Sequence, residues 1–181
     1  MSEIKMKEEE TVAPLHSESV ANARAPGWIR LLATGFGAGY LPIGPGSWGT
    51  FPGMLLCWAL QPLPAWGYLA AAVALGLAAV PLATAGERHF GRKDPGEVVI
   101  DEIVAFPITM WLVPLSLGTL AAGFFLNRLM DTLKLWPCHR LQSLPGGWGI
   151  LLDDLVAAGQ SCLLMHATLF FWPELRSFHG F

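Results

Sequence analysis

The stretch FPGMLLCWALQPLPAWGYLAAAVALGLAAVPLATAG, residues 51–86, decides what kind of fold this chain can have. It holds no charged side chain, and the charge-free run reaches back to residue 31. A helix that crosses a bilayer needs roughly 20 mostly apolar residues, so the stretch is too long for one crossing. QPLPAWG interrupts it, and Pro62 and Pro64 cannot easily continue a helix. The pattern therefore predicts two apolar helices, near 51–62 and 66–85, joined by a turn.

Moving outward, the run 103–126 is again free of charge and is punctuated by Pro107, Pro114 and Gly118. It predicts two more helices, about 98–114 and 118–135, meeting at PLSLG. A last apolar segment, LVAAGQSCLLMHATLFFW, follows GGWGILLDDL and predicts a helix over 149–172. The expected fold class is all-α: an integral membrane helical bundle of about five helices, with a catalytic patch at the cytoplasmic face. Composition points the same way. The 181 residues are 53% hydrophobic and only 14% charged, against about 25% charged in ordinary soluble domains. The net charge of -3 carries no basic excess, which excludes a nucleic-acid partner. The three cysteines are scattered, with no C-x-x-C or Cys/His cluster, so neither a disulfide framework nor a zinc site is indicated. Residues 1–24 are polar and mixed in charge and lack the apolar region of a signal peptide. They read as a disordered cytoplasmic tail ahead of a single helical membrane domain, residues 25–176.

The remaining charges fall into groups separated by even numbers of predicted crossings. Arg24 and Arg30 precede the first helix. Residues 87–102, then Arg128, Asp131, Lys134 and Arg140, then Asp153 and Asp154, follow at two-pass intervals. Only Glu174 and Arg176 fall on the far side. Cytoplasmic loops are enriched in Lys and Arg, so the charged side is the cytoplasmic one. The expectation is a multi-pass protein of the inner or plasma membrane whose site faces the cytoplasm. Ionisable groups at membrane depth are costly and usually functional.

Three acidic motifs carry that site. In DPGEVVIDEIV, residues 94–104, Asp94-Pro95-Gly96 reads as a turn and Glu97 as the helix opening, which would place Glu97 and Asp101 on one face. In RLMDTLKLWP, residues 128–137, Arg128, Asp131 and Lys134 recur every three residues and fan over one broad helix face. Arg binds phosphate bidentately and Lys as a point charge. In PGGWGILLDDLVAAG, residues 145–159, the glycines allow close approach to a ligand, and Asp153 and Asp154 follow within about a turn. One of that pair can ligate a metal directly while the other holds a water ligand or orients a cation. Hard oxygen ligands in this number suit Mg²⁺ or Mn²⁺.

The second glycine loop, ATGFGAGYLPIGPGSWGTFPG (residues 33–53), contains G-x-G-x-G outside any βαβ pattern, so it is no dinucleotide site. Gly46, Ser47, Gly49 and Thr50 can form an oxyanion-binding turn; close packing of small residues between membrane helices is the competing reading. Carboxylates, two cations and glycine turns at a membrane face suit metal-assisted chemistry on a phosphorylated lipid.

Four of these stretches resemble one family. GFGAGYLPIGPGSWGT, VVIDEIV, FFLNRLMDTLKLWP and GGWGILLDDLVAAG stand in the order and spacing of phosphatidylglycerophosphatase A, a bacterial membrane lipid phosphatase, over roughly residues 28–172. The resemblance implies an α-helical fold and Mg²⁺-dependent removal of the terminal phosphate of phosphatidylglycerophosphate, giving phosphatidylglycerol, a precursor of cardiolipin. It carries the acidic, metal-holding and catalytic positions onto Asp101, Glu102, Asp131, Asp153 and Asp154, and the phosphate-binding ones onto Arg128 and Lys134. Gly146, Gly147, Ser47 and Thr50 complete the expected phosphate cradle. The chain departs from the family pattern at Leu135, where the family usually has Pro, and at Ala105, where it often has Gly. A transport protein using intramembrane carboxylates, or a scaffold, is the competing class; the absence of an inverted repeat speaks against the first and the intact acidic set against the second.

Overall fold

Proline and glycine set most of the helix ends. The computed structural model describes residues 25–177, and the expected N-terminal tail, residues 1–24, lies outside the described residues. Among them are seven α-helices, two short 3₁₀ turns and no strand. They are α1 (Gly27–Ala33), α2 (Pro45–Leu60), α3 (Ala65–Phe90), α4 (Ile100–Thr109), α5 (Leu117–Leu133), α6 (Cys138–Leu141) and α7 (Gly147–Phe171). Pro45 opens α2 behind Gly44, which takes a left-handed φ of 60°. Proline suits this first helical position because its missing N–H is not needed there. The predicted break at QPLP separates α2 from α3, and Gly91, at φ 66°, ends α3. Ser116 caps α5 through a reciprocal pair of hydrogen bonds. Thr119 N–H donates to Ser116 Oγ (3.1 Å) and Ser116 N–H to Thr119 Oγ1 (2.8 Å).

Helix α4 is the hub. It packs against α2, α3 and α7, and α5 closes on α7. Its residues Ile103 to Pro107, and Thr109, are buried. Small residues make this possible. Gly46, Gly49 and Gly53 lie along one face of α2, and a Cβ on Gly53 would press on the Ile103 carbonyl and the Phe106 side chain. Close backbone approach between apolar helices is the usual use of such a stripe. Phe106, Met110, Met165, Leu169 and Cys57 fill the space beyond it. Away from the charged residues, two hydroxyls are paired in the interior: Thr109 Oγ1 donates to Asn127 Oδ1 (2.8 Å) and Ser161 Oγ to the Ala157 carbonyl (2.7 Å).

Among the described residues two helices, α3 with 26 residues and α7 with 25, are long and apolar enough to cross a membrane. Large apolar side chains face outward: Leu55 and Trp58 on α2, Leu77 on α3, and Leu163 and Phe170 on α7 are all exposed. Together with the apolar composition, this is the surface of a membrane protein. Two expectations need correcting. The helix expected over 98–114 is only the ten residues of α4, about 15 Å of rise, too short to cross alone. Pro114 disfavours a helical Val113, and Leu112 turns left-handed at φ 60°, so the apolar run outlasts its helix. Glu97 lies before the helix and pairs with Arg92, not with the face that carries Asp101.

Candidate active site

Charged residues from α4, α5 and α7 meet around a cleft of about 320 Å³. The start of α2 contributes Gly44, Pro45 and Gly46; the α3–α4 loop contributes Asp94 and Gly96. The first turn of α4 brings Asp101 and Glu102, the end of α5 brings Arg128, Asp131 and Lys134, and α7 brings Asp153 and Asp154. The seven charged side chains expected from the sequence are thus gathered in one place from three helices.

Local structure explains each position. Asp101 and Glu102 occupy the first turn of α4, where free amides favour negative charge. Arg128 Nη2 lies 3.2 Å from Asp131 Oδ2 and 3.4 Å from Glu102 Oε2, so it ties α5 to α4. Lys134 caps α5 in the left-handed region at φ 43°, which turns its side chain back so that Nζ donates to Asp153 Oδ2 (2.7 Å). Burial works against the charge on Lys134, but the Asp153 carboxylate, with Asp131 and Asp94 beyond it, raises its pKa above that of a free lysine. Asp153 and Asp154 are buried at 3% and 9% exposure.

The charge does not balance. Six carboxylates (Asp94, Asp101, Glu102, Asp131, Asp153, Asp154) face two cations (Arg128, Lys134). Asp101 Oδ1, Glu102 Oε2 and Asp153 Oδ1 are buried without a hydrogen-bond donor; Glu102 Oε2 has the 3.4 Å charge contact with Arg128, but not in hydrogen-bonding geometry. Buried ionised oxygens need a counter-charge. A hard divalent cation fits this all-oxygen donor set. Among the described residues no group of three His, Cys, Asp or Glu side chains forms a ready-made cage; Asp153 is turned to Lys134, and Glu102 and Asp131 to Arg128.

The expected phosphate cradle is placed differently from the charged residues. Thr50 is fully buried, and its Oγ1 donates to the Gly46 carbonyl (3.1 Å). Ser47 lies on the same turn, outside the cleft wall. Gly147 is packed on α3: its N–H donates to Thr84 Oγ1 (2.9 Å), and a Cβ there would collide with the Val80 carbonyl. Gly146, at φ 60°, sets the turn into α7. Of the glycines that line the cleft, Gly46 is the one where a Cβ would strike the Glu102 carboxylate and the Arg128 guanidinium. Asp94 is the carboxylate that sequence reasoning passed over as a turn residue. Its N–H donates to Glu87 Oε1 (3.1 Å), and its Oδ2 accepts from Gln142 Nε2 (3.1 Å), so it joins two loops above the cleft. Its motif, an acid seven residues before Asp101, was the available signal.

Fold and cleft together define a helical membrane protein that gathers carboxylates and two fixed cations at one end of its helices, a constellation suited to phosphate chemistry. The model of one protein family, described as Phosphatidylglycerophosphatase A, matches residues 31–169. The chain belongs to the phosphatidylglycerophosphatase A family and is an enzyme of that family, a phosphatase. It is 33% identical over 169 residues to the Phosphatidylglycerophosphatase A of Escherichia coli strain K12, covering 90% of this chain and 96% of that one. The Haemophilus influenzae protein of the same name is 34% identical over 145 residues, 77% of this chain and 87% of its own. A Bacteroides thetaiotaomicron relative, provisionally named a phosphatidylinositol-3-phosphatase, is 32% identical over 143 residues, 75% of this chain and 89% of its own. No solved structure matches the chain.

Proposed function

We propose that the cleft removes the terminal phosphate of phosphatidylglycerophosphate, releasing phosphatidylglycerol and inorganic phosphate, with Mg²⁺ as cofactor. The observation that carries this reading is the convergence of Asp101, Glu102, Asp131, Asp153, Asp154, Arg128 and Lys134 on one cleft in a member of this family. Arg128 and Lys134 bind the phosphate oxygens, the first as a fork and the second as a point charge. The carboxylates hold the cation, with the orphaned oxygens of Asp101, Glu102 and Asp153 as its first claims. Mg²⁺ bound there would supply a Lewis acid that neutralises the charge of the monoester. Water attacks phosphorus in line, a cleft carboxylate takes its proton, and the glycerol oxygen leaves and is protonated.

The reading extends to the whole molecule. Residues 25–176 act as one catalytic domain. The hairpins α2–α3 and α4–α5 enter the bilayer and return, and α7 crosses it. Arg30, Arg88, Arg92, Lys93 and Arg140 belong to the helix ends and loops on the cleft side, which supports a cytoplasmic cleft in the inner or plasma membrane.

The test is phosphate release by detergent-purified protein with Mg²⁺ and with EDTA, beside Asp154→Asn. Release requires Mg²⁺ and falls more than about 100-fold in the variant. A folded wild type that releases nothing overturns the reading. A parallel assay on phosphatidylinositol 3-phosphate, the substrate class in the Bacteroides relative's name, decides the head group: faster turnover there would reassign it.

A further inference from the structure

The cleft has two borders of opposite character. At Asp94 it adjoins a second, open polar cavity of about 460 Å³, lined by Lys93, His139, Gln142 and Ser143. That border is a hydrated surface. On the other side the wall is the exposed Gly44, the half-buried Pro45 and the buried Gly46, which packs against Arg128. Here polarity stops within one helical turn, about 5 Å of rise. Next along α2 and α5 comes a row of aromatic rings. Trp48 lies 5.7 Å from Phe51, Phe51 lies 6.0 Å from Phe124 across the α2–α5 seam, and Phe124 lies 5.5 Å from Phe125, centroid to centroid. Trp48, Phe51 and Phe125 are 45%, 50% and 70% exposed. Trp48 Nε1 donates to the Ile43 carbonyl (3.0 Å), which fixes the indole beside the loop that ends at Gly44. An indole with one wet edge and one apolar body suits a membrane interface.

We infer that the α2–α5 seam is the side opening through which the lipid substrate reaches the cleft, its acyl chains lying over Trp48, Phe51 and Phe124 while its phosphate sits against Arg128. This rests on the lipid phosphatase reading. The occupant follows from continuity: an apolar row begins one turn from a phosphate-binding cation, and a phospholipid monoester has its charge and its chains joined in that order. The lipid never leaves the bilayer; water arrives and phosphate departs past Asp94.

The test compares long-chain phosphatidylglycerophosphate in mixed micelles with a monomeric short-chain analogue, using wild type, Phe51→Ala, Phe124→Ala and, on the outward face of α7, Leu163→Ala. The ratio of long-chain to short-chain kcat/KM falls at least about fivefold in the two seam variants and holds in Leu163→Ala. An unchanged ratio in folded seam variants, or an equal fall in Leu163→Ala, overturns the side opening. A wild type inactive on both substrates overturns the phosphatase reading instead. Photolabelling of the wild type by a substrate with a photoreactive acyl chain gives a second readout that needs no variant to fold. Adducts map to peptides containing Trp48, Phe51 or Phe125; adducts confined to α3 or α7 overturn the proposal.

Discussion

A buried carboxylate with half of its oxygens unsatisfied governs the chemistry at residue scale. Asp153 gives one oxygen to Lys134 and leaves the other without a donor. Removing the cation by Lys134→Met should lower stability by about 2 kcal/mol, less than for a fully buried pair because Lys134 is partly exposed. In a chain of this size the melting temperature then drops several degrees, by about 2–4 °C per kcal/mol. Thermal unfolding in detergent measures it. Saturating Mg²⁺ should recover part of the loss, because it supplies the missing counter-charge; a variant as stable as wild type would mean that Asp153 needs none. The charged residues were legible in the sequence because charge is rare in an apolar chain, so each exception stands out. Ser47, Thr50, Gly146 and Gly147 were harder. A small or hydroxylated residue near a helix start serves ligand and neighbouring backbone equally well. Which one it serves depends on what packs against it, as Thr84 and Val80 do on Gly147.

At the scale of elements, α7 is set in place by a contact remote from the charges. Thr84 Oγ1 accepts from Gly147 N–H and donates to the Val80 carbonyl. Thr84→Val keeps the shape and removes the acceptor. The buried amide left behind should cost about 1–3 kcal/mol. The shift should reach Asp153 and Asp154, two turns further along, and lower kcat, although residue 84 lines no part of the cleft. Thr84→Ser should restore both. Loss of stability with kcat intact would show that the start of α7 does not position the aspartates. Helix existence was readable from charge-free runs broken by proline. Helix length was less so: hydropathy reports the environment of a segment, not its backbone, and the left-handed Leu112 that ends the α4 region has no apolar signature.

For the whole molecule, the arrangement of ends makes a topological prediction. Ser143 lies on the cleft side, beside Gln142 and His139, and Ser177 lies beyond the far end of α7. The three native cysteines are all buried and unpaired, so a single introduced thiol would be the main reactive one in intact membranes. Ser143→Cys should react with an impermeant maleimide only after the cells are opened, and Ser177→Cys before. The reverse pattern would invert the orientation; labelling of both from one side would remove the odd number of crossings. Family and all-helical class were legible at this scale because four motifs keep their order over most of the chain. The mutual packing was not, since it depends on which of 20 glycines meet another helix.

The glycine face of α2 bears on how the enzyme should respond to heat. Gly46, Gly49 and Gly53 meet α4 as bare main chain. Such a seam has no rotamers on one of its two sides, so little side-chain motion is there to be excited. The floor beneath Asp101 and Glu102 should therefore hold its shape with warming until the bundle melts as a unit. The rim, built from loops carrying Asp94 and Gln142, can loosen well before that. Activity should fade in two stages, a shallow one from the rim and a steep one from the floor.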